Sequence, residues 1–290
     1  MNTIILEGGL GNRMRVAAAA YAMARRLAAS GHSLPFRVLW LPQWGMHCRF
    51  DDLFQELDFS SFSLRDARGI ERLLYARAKA TNLWLPRLAQ RLCYRHLILS
   101  PQIYFLQRDG FDFEAWFRRD GTLMTAYRDF CTWDDALLPL LFRPCADILR
   151  DVDARAAAFT PHTIGLHIRR TDNQQSIADS PVELFFDVVD RQLAQYSDLH
   201  VYLATDDEPT KTLFRQHYGA DRIQTAPSAA TRDSVAGIRE ALIEMLLLAR
   251  TSHVYGSAGS TFSEMAVKLH YTPDGQPSPG TTPLTILSRK

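Results

Sequence analysis

Two adjacent arginines followed by an acid offer the clearest chemistry in this chain. They lie in Ile164-Gly165-Leu166-His167-Ile168-Arg169-Arg170-Thr171-Asp172. An apolar run that ends in cations predicts a strand delivering guanidinium groups to its carboxyl edge, where ligands bind in parallel α/β sheets. Guanidinium suits phosphate because its planar fork gives two parallel charge-assisted hydrogen bonds. Successive strand residues point to opposite faces, so both arginines can serve one ligand only if the strand has already ended. One would then contact phosphate while the other is tied to a carboxylate, with Asp172 the nearest. Taken alone, the residues leave a phosphate clamp and a surface ion-pair network equally open.

Three further clusters share this character. Val201-Tyr202-Leu203-Ala204-Thr205 runs into Asp206-Asp207. Asp207, before Glu208-Pro209, has the position of a helix N-cap, while Asp206 can brace an arginine or meet a ligand. Adjacent acids lack the Asp-x-Asp spacing of metal-dependent sugar transfer, so metal dependence is not expected. Gly256-Ser257-Ala258-Gly259-Ser260-Thr261-Phe262-Ser263-Glu264 reads as a strand end opening a helix, where amides and hydroxyls converge on an anion site. Its Ser/Thr spacing equally fits a capping box. Gly8-Gly9-Leu10-Gly11-Asn12 matches neither the dinucleotide fingerprint nor the P-loop, which argues against a dehydrogenase or an ATPase, though its backbone can approach a ligand closely.

Blander candidates remain. Gln174, Gln175 and Asp179 follow the arginines on an expected loop. Arg77, Lys79, Arg87, Arg91 and Arg95, with Trp84 and several leucines, fit a basic amphipathic surface for anionic lipid or, more ordinarily, a solvated helix face. Trp116, Trp133 and Tyr127 can stack on sugars, but core packing is their default role.

The elements that must position these groups follow from apolar periodicity. Strands are predicted at Thr3 to Leu6, Phe36 to Leu41, Leu97 to Leu106 and Leu123 to Tyr127, and a helix at Met14 to Ala29. The stretch Asp51 to Gln107 reads as irregular helix. After a linker near Pro139 to Phe159, strands at Thr163 to Ile168, His200 to Ala204, Arg222 to Thr225 and His253 to Gly256 alternate with helices at Pro181 to Gln195, Pro209 to Tyr218, Asp233 to Arg250 and Thr261 to His270. The tail 275–282 reads as a loop. Strict alternation implies parallel sheets with helices on both faces. We expect an α/β protein of two Rossmann-like domains facing across a cleft, residues 1–150 and 151–290.

Composition bounds the partners. The 290 residues carry a net charge of +1, with 47% hydrophobic and 22% charged residues, so no global field recruits nucleic acid. Four cysteines show no Cys-x-x-Cys or zinc spacing, and buried thiols in a reducing compartment are expected. With neither a charged leader nor a membrane-spanning run, a cytoplasmic location is expected.

In this order the four clusters resemble the GDP-fucose-dependent fucosyltransferase superfamily, which joins nodulation, α1,2- and α1,6-fucosyltransferases and protein O-fucosyltransferases. The resemblance covers the N-terminal glycine turn and most of residues 163–268. It implies a GT-B arrangement and an inverting, metal-independent transfer of fucose from GDP-fucose to a glycan or lipid-linked glycan. The 1–150 domain would be the acceptor side, and no cofactor is needed. Arg169 then looks like the β-phosphate ligand, with Arg170 and Asp172 in support. His167 and Glu244 fall near guanine, where relatives commonly carry aspartate at the Glu244 position. Asp206, Ser260, Thr261, Phe262 and Ser263 join the nucleotide-sugar side, and Gly11 and Asn12 resemble the turn that meets the diphosphate. Some relatives place a basic glutamate after the arginines, whereas this chain has Asn173-Gln174-Gln175. Glu7, Asp172, Asp179 and Glu183 remain candidates for the base. Another nucleotide sugar, or a non-catalytic carbohydrate-binding protein on a degenerate GT-B fold, is the alternative.

Overall fold

The computed structural model describes residues 1–32, 34–43, 46–59, 61–171, 174–227, 233–272 and 274–289. The chain divides into two compact units, Met1–Arg143 and Pro144–Lys290. Each is a Rossmann-like α/β layer structure, the class expected from the strand-helix alternation.

The first unit runs β1 (Asn2–Leu6), α1 (Leu10–Ala29), β2 (Phe36–Trp40), β3 (Leu57–Phe59), β4 (Phe62–Asp66), α2 (Glu71–Leu74), α3 (Leu85–Cys93), β5 (His96–Ile98), α4 (Ser100–Arg108), α5 (Phe113–Phe117), β6 (Thr122–Ala126) and α6 (Leu137–Leu141). Its sheet order is β3-β4-β2-β1-β6-β5, parallel except for the β3–β4 pair. Ile4, Ile5 and Leu6 are buried, and Ala17 to Ala20 of α1 are fully buried. A run of methyl side chains lets that helix approach closely enough to exclude water.

Several elements differ from the sequence reading. Helix α1 begins at Leu10 rather than Met14, so Gly11 and Asn12 belong to its first turn. The turn proper is Gly8, at φ +80°, where a Cβ would lie 2.9 Å from Asn12 Nδ2. Leu97 to Leu106 is not one strand: β5 stops at Ile98, and Pro101 near the start of α4 pre-sets helical φ while withholding an N–H from any ladder. Strands β3 and β4 lie where irregular helix was expected. Their alternation was masked because β4 turns Asp66 inward, where its carboxylate accepts the amides of Phe50 and Asp51. The cysteines form no disulfide among the described residues, but Cys93 is exposed where burial was expected.

The second unit runs α7 (Ala146–Ala156), β7 (Thr163–Ile168), α8 (Gln174–Asp179), α9 (Glu183–Leu193), β8 (His200–Thr205), α10 (Glu208–Tyr218), β9 (Ile223–Thr225), α11 (Val235–Ala249), β10 (Val254–Ser257), α12 (Thr261–Ala266) and β11 (Leu284–Leu287). Helix α7, which a boundary at residue 150 would divide, falls whole in this unit. Helix α12 ends at Ala266, short of the expected His270. Gln174 to Asp179 forms α8 instead of a loop. Strand β11 was not foreseen beyond the loop-like tail; it adds to β10 in parallel. The order β11-β10-β7-β8-β9 is wholly parallel. All six residues of β7 are buried, as a strand covered on both faces requires.

Gly165 shows how tightly β7 is enclosed. A Cβ there would lie 2.8 Å from Leu248 Cδ2 and 2.9 Å from Thr251 Oγ1. We therefore expect Gly165→Val to destabilise the second unit by about 1–3 kcal/mol through overpacking, read from the denaturation midpoint. An unchanged midpoint would mean that α11 can yield.

Candidate functional site

In the second unit, the chain winds from β7 through β8 to β9, then crosses back to place β10 on the other side of β7. Strand order reverses between β7 and β10, and ligands of open α/β sheets bind at the carboxyl ends beside such a switch point. Strand β7 stops at Ile168, so Arg169 and Arg170 lie beyond it and escape the alternation of a strand.

Both neighbouring strands hold this exit. From β8, Asp206 accepts the Arg170 amide at 2.8 Å and the Thr171 hydroxyl at 2.6 Å. Its Oδ2 also stands 3.6 Å from Arg169 Nε. From β10, the Ser257 hydroxyl accepts the Arg169 amide at 3.1 Å and donates to the His167 carbonyl at 3.3 Å. The local carboxylate partner among the described residues is thus Asp206, since Asp172 lies outside them. Arg170 Nη1 is buried without a hydrogen-bond partner there. Asp207 caps α10 as expected, accepting the Thr210 amide at 2.9 Å and hydroxyl at 2.6 Å.

The loop after β10 lies at the same sheet edge. The Ala258 amide donates to Ser180 Oγ, which donates in turn to the Leu287 carbonyl. Gly259 takes φ +67°. Ser260 stands at the N-cap of α12 but makes no side-chain cap bond, so the capping box suggested by the Ser/Thr spacing does not form there. Ser263 instead contacts His167 Nδ1 at 3.2 Å. Gly256 makes room for this, because a Cβ on it would lie 2.6 Å from Ser263 Oγ. The His167 ring stacks on Phe262 at 4.6 Å. Burial, with Arg169 adding repulsion, lowers the imidazole pKa to about 3, so His167 is neutral at physiological pH. Thr261 follows in the first turn of α12.

Glu244 projects from α11 into the interior. Its side chain is buried, and Oε1 has no hydrogen-bond partner among the described residues, nor has the nearby Tyr202 hydroxyl. Burial raises the Glu244 pKa to about 8, opposed by the charge of Lys211 and reinforced by that of Glu240. Lys211 pairs with Glu208 at 2.6 Å, and Arg155 holds Glu240 at 3.1 Å. An acceptor left open inside a protein is costly and marks where an incoming donor would be received. Sequence inspection missed Tyr202, Lys211, Glu240 and Arg155, because they are spread over four elements with no local pattern.

No protein-family model matches the chain, and no curated protein matches it in sequence. Solved structures do. NodZ α-1,6-fucosyltransferase soaked with GDP-fucose superposes with a TM-score of 0.61 at 18% identity over 92% of each chain. NodZ from Bradyrhizobium gives 0.61 and 18% over 91% of each. POFUT1 in complex with GDP gives 0.56 at 9%, covering 99% of this chain and 98% of that one. A mutant FUT1 of Arabidopsis thaliana in complex with GDP gives 0.54 at 16%, covering 92% and 68%. The chain has the fold of these fucosyltransferases.

In the first unit the strand order also reverses beside β1, between β2 and β6. Glu7 leaves β1 there: its amide donates to the Ala126 carbonyl at 2.7 Å, and its carboxylate accepts the Ser100 hydroxyl. Ser100 Oγ is in turn 3.0 Å from Thr125 Oγ1. Buried Arg13 clamps the turn, donating to the carbonyls of Gly8 and Leu41, both at 2.9 Å, under the Trp40 ring. Burial lowers its pKa to about 9 despite the attraction of Glu7. Among the other base candidates, Asp179 accepts from Gln175 at 2.9 Å. Glu183 is exposed near Arg289. Trp116 is buried, while Tyr127 is partly exposed. Among the described residues the grouped acids are Asp51, Glu56 and Asp66, and Asp66 is engaged by backbone amides.

Glu244 generates a stability test. Its folded pKa is raised, so between the ordinary carboxylic range and about 8 the folded chain holds a proton that the unfolded chain releases. That contribution is complete below the ordinary range and lost as pH rises through about 8. Glu244→Gln should therefore gain on wild type by an amount on the order of a few kcal/mol between about pH 5 and about pH 8.5. A pH-independent difference in melting temperature would refute the buried-acid assignment.

Proposed function

We propose that the protein is an inverting, metal-independent glycosyltransferase that moves fucose from GDP-fucose to a glycan hydroxyl. The observation that carries this reading is Arg169, fixed at the switch point of the second sheet by Asp206 on one side and Ser257 on the other. Neighbours of the same fold whose structures contain GDP or GDP-fucose support the choice of donor.

In this reading the second unit holds the nucleotide. Arg169 takes the β-phosphate, with the Ser260 to Ser263 turn beside it and Asp206 keeping the guanidinium aimed. Guanine presents N1–H and N2–H₂ side by side, and a carboxylate accepts both, so Glu244 is the base-reading residue. Uracil has a single ring N–H between two carbonyls and cannot match it. His167, neutral and stacked on Phe262, can take part without competing with Arg169 for negative charge. As the bond from fucose C1 to the β-phosphate oxygen breaks, its electron pair stays on GDP, and Arg169 stabilises that growing charge. The acceptor oxygen bonds to C1 from the opposite face, which inverts the anomeric centre.

The acceptor's proton must leave as that bond forms. Glu7 of the first unit is the base candidate we favour, on its own geometry: the Ser100 hydroxyl donates to its carboxylate at the strand-order reversal beside β1. Gly11 and Asn12, in the first turn of α1, are the backbone approach on that unit. The metal-independent part of the reading rests on the adjacent spacing of Asp206, which binds the end of β7, and Asp207, which caps α10.

Two tests follow. Without added metal, GDP should raise the melting temperature more than UDP, ADP or CMP do, since a ligand specific to the native state stabilises it by mass action. Arg169→Ala should abolish transfer and weaken GDP binding about tenfold to a hundredfold, the worth of a charged hydrogen-bond pair. Near-normal turnover in that variant, or selective stabilisation by UDP, would sink the assignment. Glu7→Gln should lower kcat by about 10²–10⁴ while GDP affinity stays at the wild-type value. Full activity in Glu7→Gln would move the base elsewhere.

A further inference from the structure

Helix α3 is built inside out. Its buried positions are Pro86 and Gln90, and Gln90 spends its amide on the Leu74 carbonyl and accepts from Arg87. Its outward stripe is Leu85, Leu88 and Leu92, spaced i, i+3 and i+7 and 58%, 56% and 80% exposed. Trp84 stands at its start, 59% exposed, after Leu83 at 77%. Both residues take left-handed backbone conformations, φ 57° and 51°, which non-glycine residues adopt only when the surroundings impose them. A helix of a globular fold ordinarily turns its leucines inward, and among the described residues these stay exposed.

Charge identifies the occupant. Between Glu71 and Asp109 the chain has no acidic residue and carries seven cations, in a protein of net charge +1. Arg77, Lys79, Arg91 and Arg95 are exposed around the leucine stripe. Glu71, the acid that closes the segment, is engaged by Arg37 and Arg65. At the start of the helix an open cleft of about 460 Å³ is lined by Gln43, Arg77, Lys79, Asn82 and Trp84, cations beside an indole. Protein interfaces surround their apolar centre with a polar rim, whereas this segment's formal charges between Glu71 and Asp109 are all of one sign. Leucine and tryptophan on one face, in a segment whose formal charges are all cationic, match a helix lying in the headgroup layer of an anionic bilayer, with exposed Asp120 beside Arg95 as the acid at its far end. No helix among the described residues is long and apolar enough to cross one.

The geometry points to α3 and the Leu83–Trp84 turn as a peripheral docking surface for anionic membranes. Leucines enter the acyl boundary while Arg77, Lys79, Arg91 and Arg95 meet lipid phosphates. This surface stands independently of the donor reading, because none of its residues belongs to the nucleotide site. It gives the first unit a way to meet an acceptor carried on lipid.

The test uses the full-length protein and vesicle sedimentation, with phosphatidylcholine alone and phosphatidylcholine containing phosphatidylglycerol. Wild type should bind the anionic vesicles at least about tenfold more tightly, and salt should weaken that binding. The triple variant Leu85→Gln, Leu88→Gln, Leu92→Gln should lose about tenfold or more on anionic vesicles. Arg91→Gln with Arg95→Gln should lose a similar factor there but not on neutral vesicles. Because these side chains are exposed, melting temperature and GDP binding should match wild type in both variants. Failure to bind anionic vesicles, equal binding to both compositions, or binding indifferent to the leucine variant would overturn the proposal. So would self-association that the leucine variant abolishes without any vesicle binding, which would assign the face to a second copy of the chain.

Discussion

The carboxylate of Asp206 is the contact on which the second unit's site depends. Parallel strands can be staggered and trimmed at their ends without disturbing their ladders, so a strand exit is free to fray unless something ties it. Asp206 ties the end of β7 to that of β8 through the Arg170 amide and the Thr171 hydroxyl. At 3.6 Å from Arg169 Nε it also orients that guanidinium electrostatically. Ser257 does the matching task from β10. A guanidinium placed this way is preorganised: little reorganisation is required when a phosphate arrives, and that is where electrostatic stabilisation is most effective.

The buried ionisable groups behind this edge form a consistent set. Lys211 and Arg155 have acids of their own in Glu208 and Glu240, so the interior is close to neutral without Glu244. Glu244 is then the carboxyl with no assigned counter-ion, and burial keeps it protonated up to about pH 8. His167, also buried, goes the other way and stays uncharged. Both shifts arise from the same cause, the cost of charge away from water. A ligand that brought two N–H donors to Glu244 would favour the ionised form and expel its proton, so binding and pH would be linked at this residue.

Much of this was legible in the sequence where one element carries the whole signal. The β7 run with its arginines, the Asp207-Glu208-Pro209 cap and the alternation of the C-terminal half are local patterns, and the structure forms them as read. What was hidden depends on distant partners. Asp206 acts on β7 from another strand, and the Glu244 surroundings come from α7, β8, α10 and α11. β4 disguised itself by turning Asp66 inward, a polar residue at a core position that made a period of two look irregular. Leu97 to Leu106 misled by apolar content alone, and the signal that could have corrected it was Pro101. The Ser260 to Glu264 spacing fits a cap so well that only the structure shows Ser263 committed to His167.

The two units use one architecture to opposite electrostatic ends. Each reverses strand order beside its first strand, and each reversal exposes a strand exit. In the second unit that exit ends in a cation, Arg169, braced by an acid. In the first it ends in an acid, Glu7, and the nearby cation, Arg13, is buried beneath the Gly8 turn, where its Nε and Nη1 donate to the carbonyls of Gly8 and Leu41. Arg13 therefore shapes the turn from the interior. A cation at a strand exit suits a phosphate and a carboxylate suits a hydroxyl, so the inverted charges at the two exits argue against two copies of one site.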